Sequence, residues 1–139
     1  MEVEFAAGPT ASSGEPWPMP VIDVGTGQGW QIDWRPALAA ILQARGTEGP
    51  ATLAARFHAS LARGIADVAE RIGLPTVALS GGCFQNVRLL DLTSDALRSA
   101  GFQVLRHHDL PSNDGALAAG QALGALWGIT GVAFEEAKR

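Results

Sequence analysis

The run Ser80-Gly81-Gly82-Cys83-Phe84-Gln85-Asn86 follows a short apolar stretch, Thr76-Val77-Ala78-Leu79, and leads into an amphipathic segment. Paired glycines at the carboxyl end of a strand let backbone N–H groups turn toward an anion. A helix beginning just beyond adds the positive end of its dipole. That pattern suits a nucleotide phosphate. It equally suits a tight strand-to-helix turn in which Ser80 and Asn86 are capping residues. A second group, Pro111-Ser112-Asn113-Asp114-Gly115, follows another short apolar stretch and precedes a segment of small residues. Asp114 has the chemistry to ligate a metal or to order a water or hydroxyl. An aspartate before glycine also serves as an N-cap and turn with no ligand at all.

The other reactive side chains are few. Cys83 is the single cysteine, which excludes an internal disulfide and a cysteine-rich zinc site. It has no histidine beside it in sequence, so packing under the loop is its expected role rather than nucleophilic catalysis. His107 and His108 are adjacent and point opposite ways along an extended segment, so they are not expected to share a metal. His58 lies within a helical pattern and is expected to be structural. With no His-x-x-x-His pair in the chain, a complete catalytic metal site is not expected, because one carboxylate cannot hold a divalent ion alone. Gly25, Gly27 and Gly29 offer a further phosphate loop in principle. No helix start meets them, and a hairpin turn is the plainer reading. Lys138 is the only lysine, which argues against a Walker-type or Schiff-base lysine.

These residues need elements to hold them. Residues 1–20 form a Pro-, Gly- and Ser/Thr-rich lead-in with little periodicity, expected to be poorly ordered, with Trp17 and Met19 able to staple it down. Residues 21–24 and 30–34 alternate around the glycines as hairpin strands. A helix starts near Pro36, with Leu38, Ile41 and Leu42 as its stripe, and ends at Gly46. A longer one spans 50–72, carrying Leu53, Phe57, Leu61, Ile65, Val68 and Ile72 on one face and stopped by Gly73 and Pro75. Strand 76–79, helix 86–100, strand 102–105 and helix 115–127 complete the chain. Strand, helix, strand, helix with short links implies parallel strands covered by helices, an α/β class. Both candidate loops then fall at the carboxyl ends of parallel strands, where ligands of open α/β sheets gather. In the last helix, Ala116, Gly120 and Gly124 form a bare line that predicts close approach of another helix or sheet.

The chain has 139 residues, 47% hydrophobic and 17% charged, with net charge −4. Length suits one domain with a real core. The acidic balance argues against nucleic-acid partners. No run is long and apolar enough for a membrane span and no signal-peptide pattern opens the chain, so a cytoplasmic location is expected.

Phe57-His58, Val77 through Asn86, Leu110 through Ala116, and Gly120-Gln121 together resemble the C-terminal end of the HypF carbamoyltransferases, which mature the [NiFe]-hydrogenase active site. The Ser-Gly-Gly-x-x-x-Asn element is shared with the Kae1/TsaD tRNA-threonylcarbamoyl proteins and with antibiotic O-carbamoyltransferases. Phe84-Gln85 and the Asn-Asp-Gly loop point to HypF. The resemblance covers roughly residues 50–128 and is weaker over 20–49. It implies one half of an actin-like, ribonuclease-H-like (ASKHA) fold, a half-domain over 21–132 with a tail at 133–139. It further implies that Ser80, Gly81 and Gly82 approach the phosphates of ATP or carbamoyl-adenylate. Asn86 would orient the nucleotide or the glycine loop, and Asp114, beside Asn113, would be a divalent metal ligand. The paired metal-binding histidines and first phosphate loop of the family's first half are absent from this sequence.

The family reaction implied is transfer of a carbamoyl group to a thiolate of a HypE-type acceptor. A chain carrying the second half alone is expected to need a first-half HypF-like partner. A HypF-like scaffold that forms a homodimer and binds no nucleotide is the alternative. An unrelated α/β binding module whose motifs are only caps and turns is a third.

Overall fold

The computed structural model describes residues 2–8, 14–25 and 29–128. The expected tail at 133–139 and the middle of the Gly25–Gly29 loop lie outside the described residues. Helix α1 (Glu2–Ala7) is followed by a hairpin of β1 (Val21–Asp23) and β2 (Trp30–Ile32), paired antiparallel with Val21 opposite Ile32. Helices α2 (Arg35–Ala44) and α3 (Pro50–Ile72) come next, then β3 (Thr76–Leu79), α4 (Val87–Ser99), β4 (Gln103–Arg106) and α5 (Leu117–Leu126). Strands β3 and β4 pair in parallel, with Leu79 opposite Arg106. The α/β class read from the sequence is the class observed.

Local chemistry explains the boundaries. Pro50 at the first position and Gly73 at the end, in the left-handed region at φ 71°, define α3 over the expected span. Asn86 caps α4, its Oδ1 accepting from the Leu89 amide at 2.9 Å. The Gly25 amide donates to Asp23 Oδ1 at 2.8 Å, so the start of the glycine-rich loop is an Asx turn of the hairpin.

The core sits where α3 and α4 cross one face of the parallel pair. Ala66 and Ala69 of α3, Leu79 of β3 and Leu97 of α4 are buried together, with Val77, Phe84, Phe102 and Val104 packed around them. Two expectations about helix faces change here. On α3 the buried residues are small, Ala54, Ala55, Ser60, Ala62, Gly64, Ala66 and Ala69, with His58 the one large side chain among them. Small side chains let neighbouring elements approach the helix axis, while the larger Leu53, Phe57 and Leu61 sit half-buried and Ile72 is exposed. On α2 it is Ala37 that is buried, with Ala40, Ile41 and Ala44 toward the core. Leu38 and Leu42 point outward.

The lead-in is docked along α3. Trp17 and Met19 are buried against Ala37, the Trp17 amide donates to Ser60 Oγ at 2.8 Å, and the Arg56 guanidinium lies 4.3 Å from the centre of the Trp17 ring. Ala7 of α1 packs on Ala54 and Ala55. Trp17 and Met19 are the two residues the sequence offered as staples, and the described part of the lead-in is held by them.

Candidate functional site

Register puts the candidate residues together. Leu79 and Arg106 are partners at the ends of β3 and β4, so the next residue of each strand, Ser80 and His107, emerge side by side. His107 Nε2 lies 2.9 Å from Ser80 Oγ. Beyond Ser80 the chain passes Gly81, whose φ of 98° and ψ of 162° no side-chain-bearing residue adopts without strain. The Gly81 amide donates to the Ser112 carbonyl at 2.7 Å, which latches the Ser80 loop to the Ser112–Asp114 loop. Gly82–Gln85 then form one 3₁₀ turn leading into Asn86.

The latched loops line one side of an open groove of about 840 Å³. Ser80, Gly81, His107, Ser112, Asn113 and Asp114 face it from the strand ends, and Gly120, Gln121 and Gly124 of α5 form the opposing wall. Asn113, rather than Asp114, makes the turn, its Oδ1 accepting from the Gly115 amide at 3.0 Å. That leaves the exposed Asp114 as the carboxylate of the groove among the described residues. Among the described residues the bare line of α5 is not buried against another element. No residue of α5 is buried, and a Cβ on Gly120 would meet nothing within 4 Å. The absence of side chains there opens the groove.

Asn86 stands outside the groove lining, in a network of its own. His58 is buried on α3, with Nδ1 2.7 Å from the Ala54 carbonyl and Nε2 2.8 Å from Asn86 Nδ2. A carbonyl only accepts, so Nδ1 carries the imidazole proton and Nε2 accepts from the Asn86 amide. Asn86 thus joins His58 to the start of α4, immediately after the glycine turn. The positive end of α4 is also closed to a ligand. The Val87 amide donates to Glu4 Oε1 at 2.8 Å, and Leu89 to Asn86. The expected contribution of this helix dipole to an anion is therefore replaced by internal caps.

The donors without a partner among the described residues are the Gly82 and Cys83 amides on the turn and the side-chain N–H groups of Asn113 and Gln121 in the groove, while the Ser80 hydroxyl is shared with His107. Arg106, next to His107, is turned to Asp91 of α4 at 3.0 Å. These features fit a phosphate-bearing ligand. They do not fit a complete metal centre, since among the described residues no three His, Cys, Asp or Glu side chains cluster. Cys83 is exposed on the turn and has no histidine partner. His107 is the groove residue that sequence reading missed. Its signal was the parallel pairing, which places the first residue after each strand shoulder to shoulder.

The family model described as "Carbamoyltransferase, Kae1-like Domain, second subdomain" matches residues 1–121, a span that includes both groove loops. The chain belongs to this family. A carbamoyltransferase HypF of Synechocystis is 44% identical over 98 residues, covering 68% of this chain and 12% of that protein. The Rhodobacter capsulatus carbamoyltransferase HypF is 45% identical over 80 residues, covering 55% of the chain and 11% of the relative. Among solved structures, full-length HypF in its phosphate- and nucleotide-bound form superposes with a TM-score of 0.78 at 29% identity, over 95% of this chain and 17% of that one. The chain therefore spans only a small part of the HypF proteins it matches. Among the described residues, no helix is long and apolar enough to cross a membrane.

Proposed function

We propose that this HypF second subdomain forms one wall of a nucleotide-dependent carbamoyltransferase site, of the kind that serves [NiFe]-hydrogenase maturation. The observation that carries the reading is the pair of loops latched by the Gly81–Ser112 hydrogen bond around a groove of about 840 Å³. In this reading Ser80, Gly81 and Gly82 meet the phosphates of ATP or carbamoyl-adenylate, with Asn113 at the rim. Asn86 holds the glycine turn from behind through His58. Asp114 is the single metal ligand this chain brings, and the remaining ligands come from a first-half subdomain. The carbamoyl acceptor is a thiolate on a HypE-type protein.

The chemistry available to this wall is binding and orientation. Hydroxyl and amide donors fixed before the ligand arrives stabilise developing negative charge without reorganising. The flat α5 wall excludes nothing by itself, and closure of a first subdomain over it completes the site. By itself the chain is a binding half-site without turnover.

Titration calorimetry of ATP with Mg²⁺ into the chain, with and without the first subdomain of a HypF relative, tests this. Binding that strengthens with the first subdomain and is lost in Gly120→Leu supports the reading. The new side chain fills the groove without touching the core, because nothing lies within 4 Å of the Gly120 Cβ position. No heat under either condition, with the chain a folded dimer by light scattering, would instead favour a scaffold homodimer built on the bare α5 face.

A further inference from the structure

A serine hydroxyl has one proton to give and two lone pairs to receive. At 2.9 Å, His107 Nε2 and Ser80 Oγ share one hydrogen, and which atom owns it decides what the groove offers. If the imidazole accepts, the only Ser80 proton is spent and lone pairs face the groove, which repel a phosphate oxygen. If the imidazole donates, the Ser80 proton stays free. The neighbouring groups make that proton matter. The Gly81 amide is already committed to Ser112, and Asp114 brings only acceptor oxygens when ionised. Beside Ser80 an anion has only the Gly82 and Cys83 amides of the turn and the side-chain N–H groups of Asn113 and Gln121 to turn to.

We propose that His107 donates its Nε2–H to Ser80 Oγ and so keeps the Ser80 hydroxyl proton directed to an anionic oxygen in the groove. His107 is then a positioning residue, acting through Ser80, and it is the tautomeric opposite of His58, whose partners require the proton on Nδ1. The inference rests on the phosphate reading of the groove.

Long-range ¹H–¹⁵N NMR of the full chain reads the tautomers without any ligand. The expected result is an Nε2-protonated His107 beside an Nδ1-protonated His58, with Ser80→Ala shifting the His107 resonances and leaving those of His58 in place. An Nδ1-protonated His107 accepting from Ser80 overturns the proposal. The second arm is ATP·Mg²⁺ titration together with the first subdomain. His107→Ala is expected to weaken binding about tenfold. His107→Gln, whose amide reaches the same place as Nε2, restores most of it. The Ser80→Ala/His107→Ala double variant loses no more than Ser80→Ala. Unchanged binding in His107→Ala, or additive losses in the double variant, overturns the role of His107 while leaving the groove a phosphate site. Absence of binding by the unmodified chain overturns the phosphate reading itself and the proposal with it.

Discussion

His58 and Asn86 lie 28 positions apart and are joined by a 2.8 Å contact between Nε2 and Nδ2 that ties the middle of α3 to the first turn of α4. Both ring nitrogens of His58 are used, and Asn86 spends its Oδ1 and one Nδ2–H. His58 also meets the Ala54 carbonyl, and Asn86 also caps Leu89. Such a pair specifies where the glycine turn ends, because neither residue can move without leaving a polar group without a partner.

Replacement of His58 by Phe keeps the ring volume and removes the acceptor, so the Asn86 amide loses its partner. The expected cost is about 1–3 kcal/mol in denaturant unfolding. Asn86→Ala loses the cap as well, about 0.5–2 kcal/mol. The double variant should cost less than the sum of the two. Strict additivity would show that the contact contributes nothing.

Two glycines predict opposite signs. Gly73 ends α3 at a φ of 71°, and Gly73→Ala is expected to destabilise by about 1–2 kcal/mol. Gly120 lies inside α5 with open space at its Cβ, so Gly120→Ala is expected to stabilise by up to about 1 kcal/mol. Thermal unfolding of the two variants side by side checks both.

Leu97 is fully buried between α4 and the sheet. Leu97→Ala is expected to cost about 2–5 kcal/mol, with the larger value if the surrounding side chains cannot close the void. Urea denaturation at a single wavelength is sufficient to read it.

The Arg35 guanidinium, hydrogen-bonded to Asp33 at 2.7 Å and 2.9 Å, holds the Asp33 carboxyl below the usual carboxylate range. A depressed value means the stabilisation is present above the ordinary carboxylate titration and disappears as pH falls through the lowered one. Asp33→Asn should therefore lower the melting temperature slightly near neutral pH and not at all in strong acid. Because the Arg35 side chain is 71% exposed, added salt should shrink the difference further. A difference that grew toward low pH would contradict the assignment.

Leu126 and Trp127 are 81% and 69% exposed at the end of α5. Changing both to serine is expected to leave thermal stability unchanged and to weaken association with the first subdomain of a HypF relative. Light scattering and titration of the mixture separate the two effects.

Much of this was legible because it is local. The glycine and proline stops of α3, the strand at 76–79 and the Asn86 cap are each decided within a few residues. The burial of α3 was not, because a periodicity of large residues does not reveal that alanines and a glycine line the closest approach. His107 escaped for a related reason. Nothing beside it in sequence marks it, and only the pairing of two strands brings it to Ser80. Gly120 and Gly124 were read as a surface to be closely approached, and among the described residues they line the wall of a groove.

Among the described residues the parallel pair of β3 and β4 has helices packed on one face only. On the other, Ala78 and Leu105 look outward, with Thr76 and Gln103 completing the row. Parallel strands ordinarily lie between two covering layers. A sheet of two strands with one naked side resembles a workpiece more than a finished part. A layer supplied by another segment would cover Ala78 and Leu105 while the strand ends, and with them the groove, keep the positions that the α3–α4 side gives them.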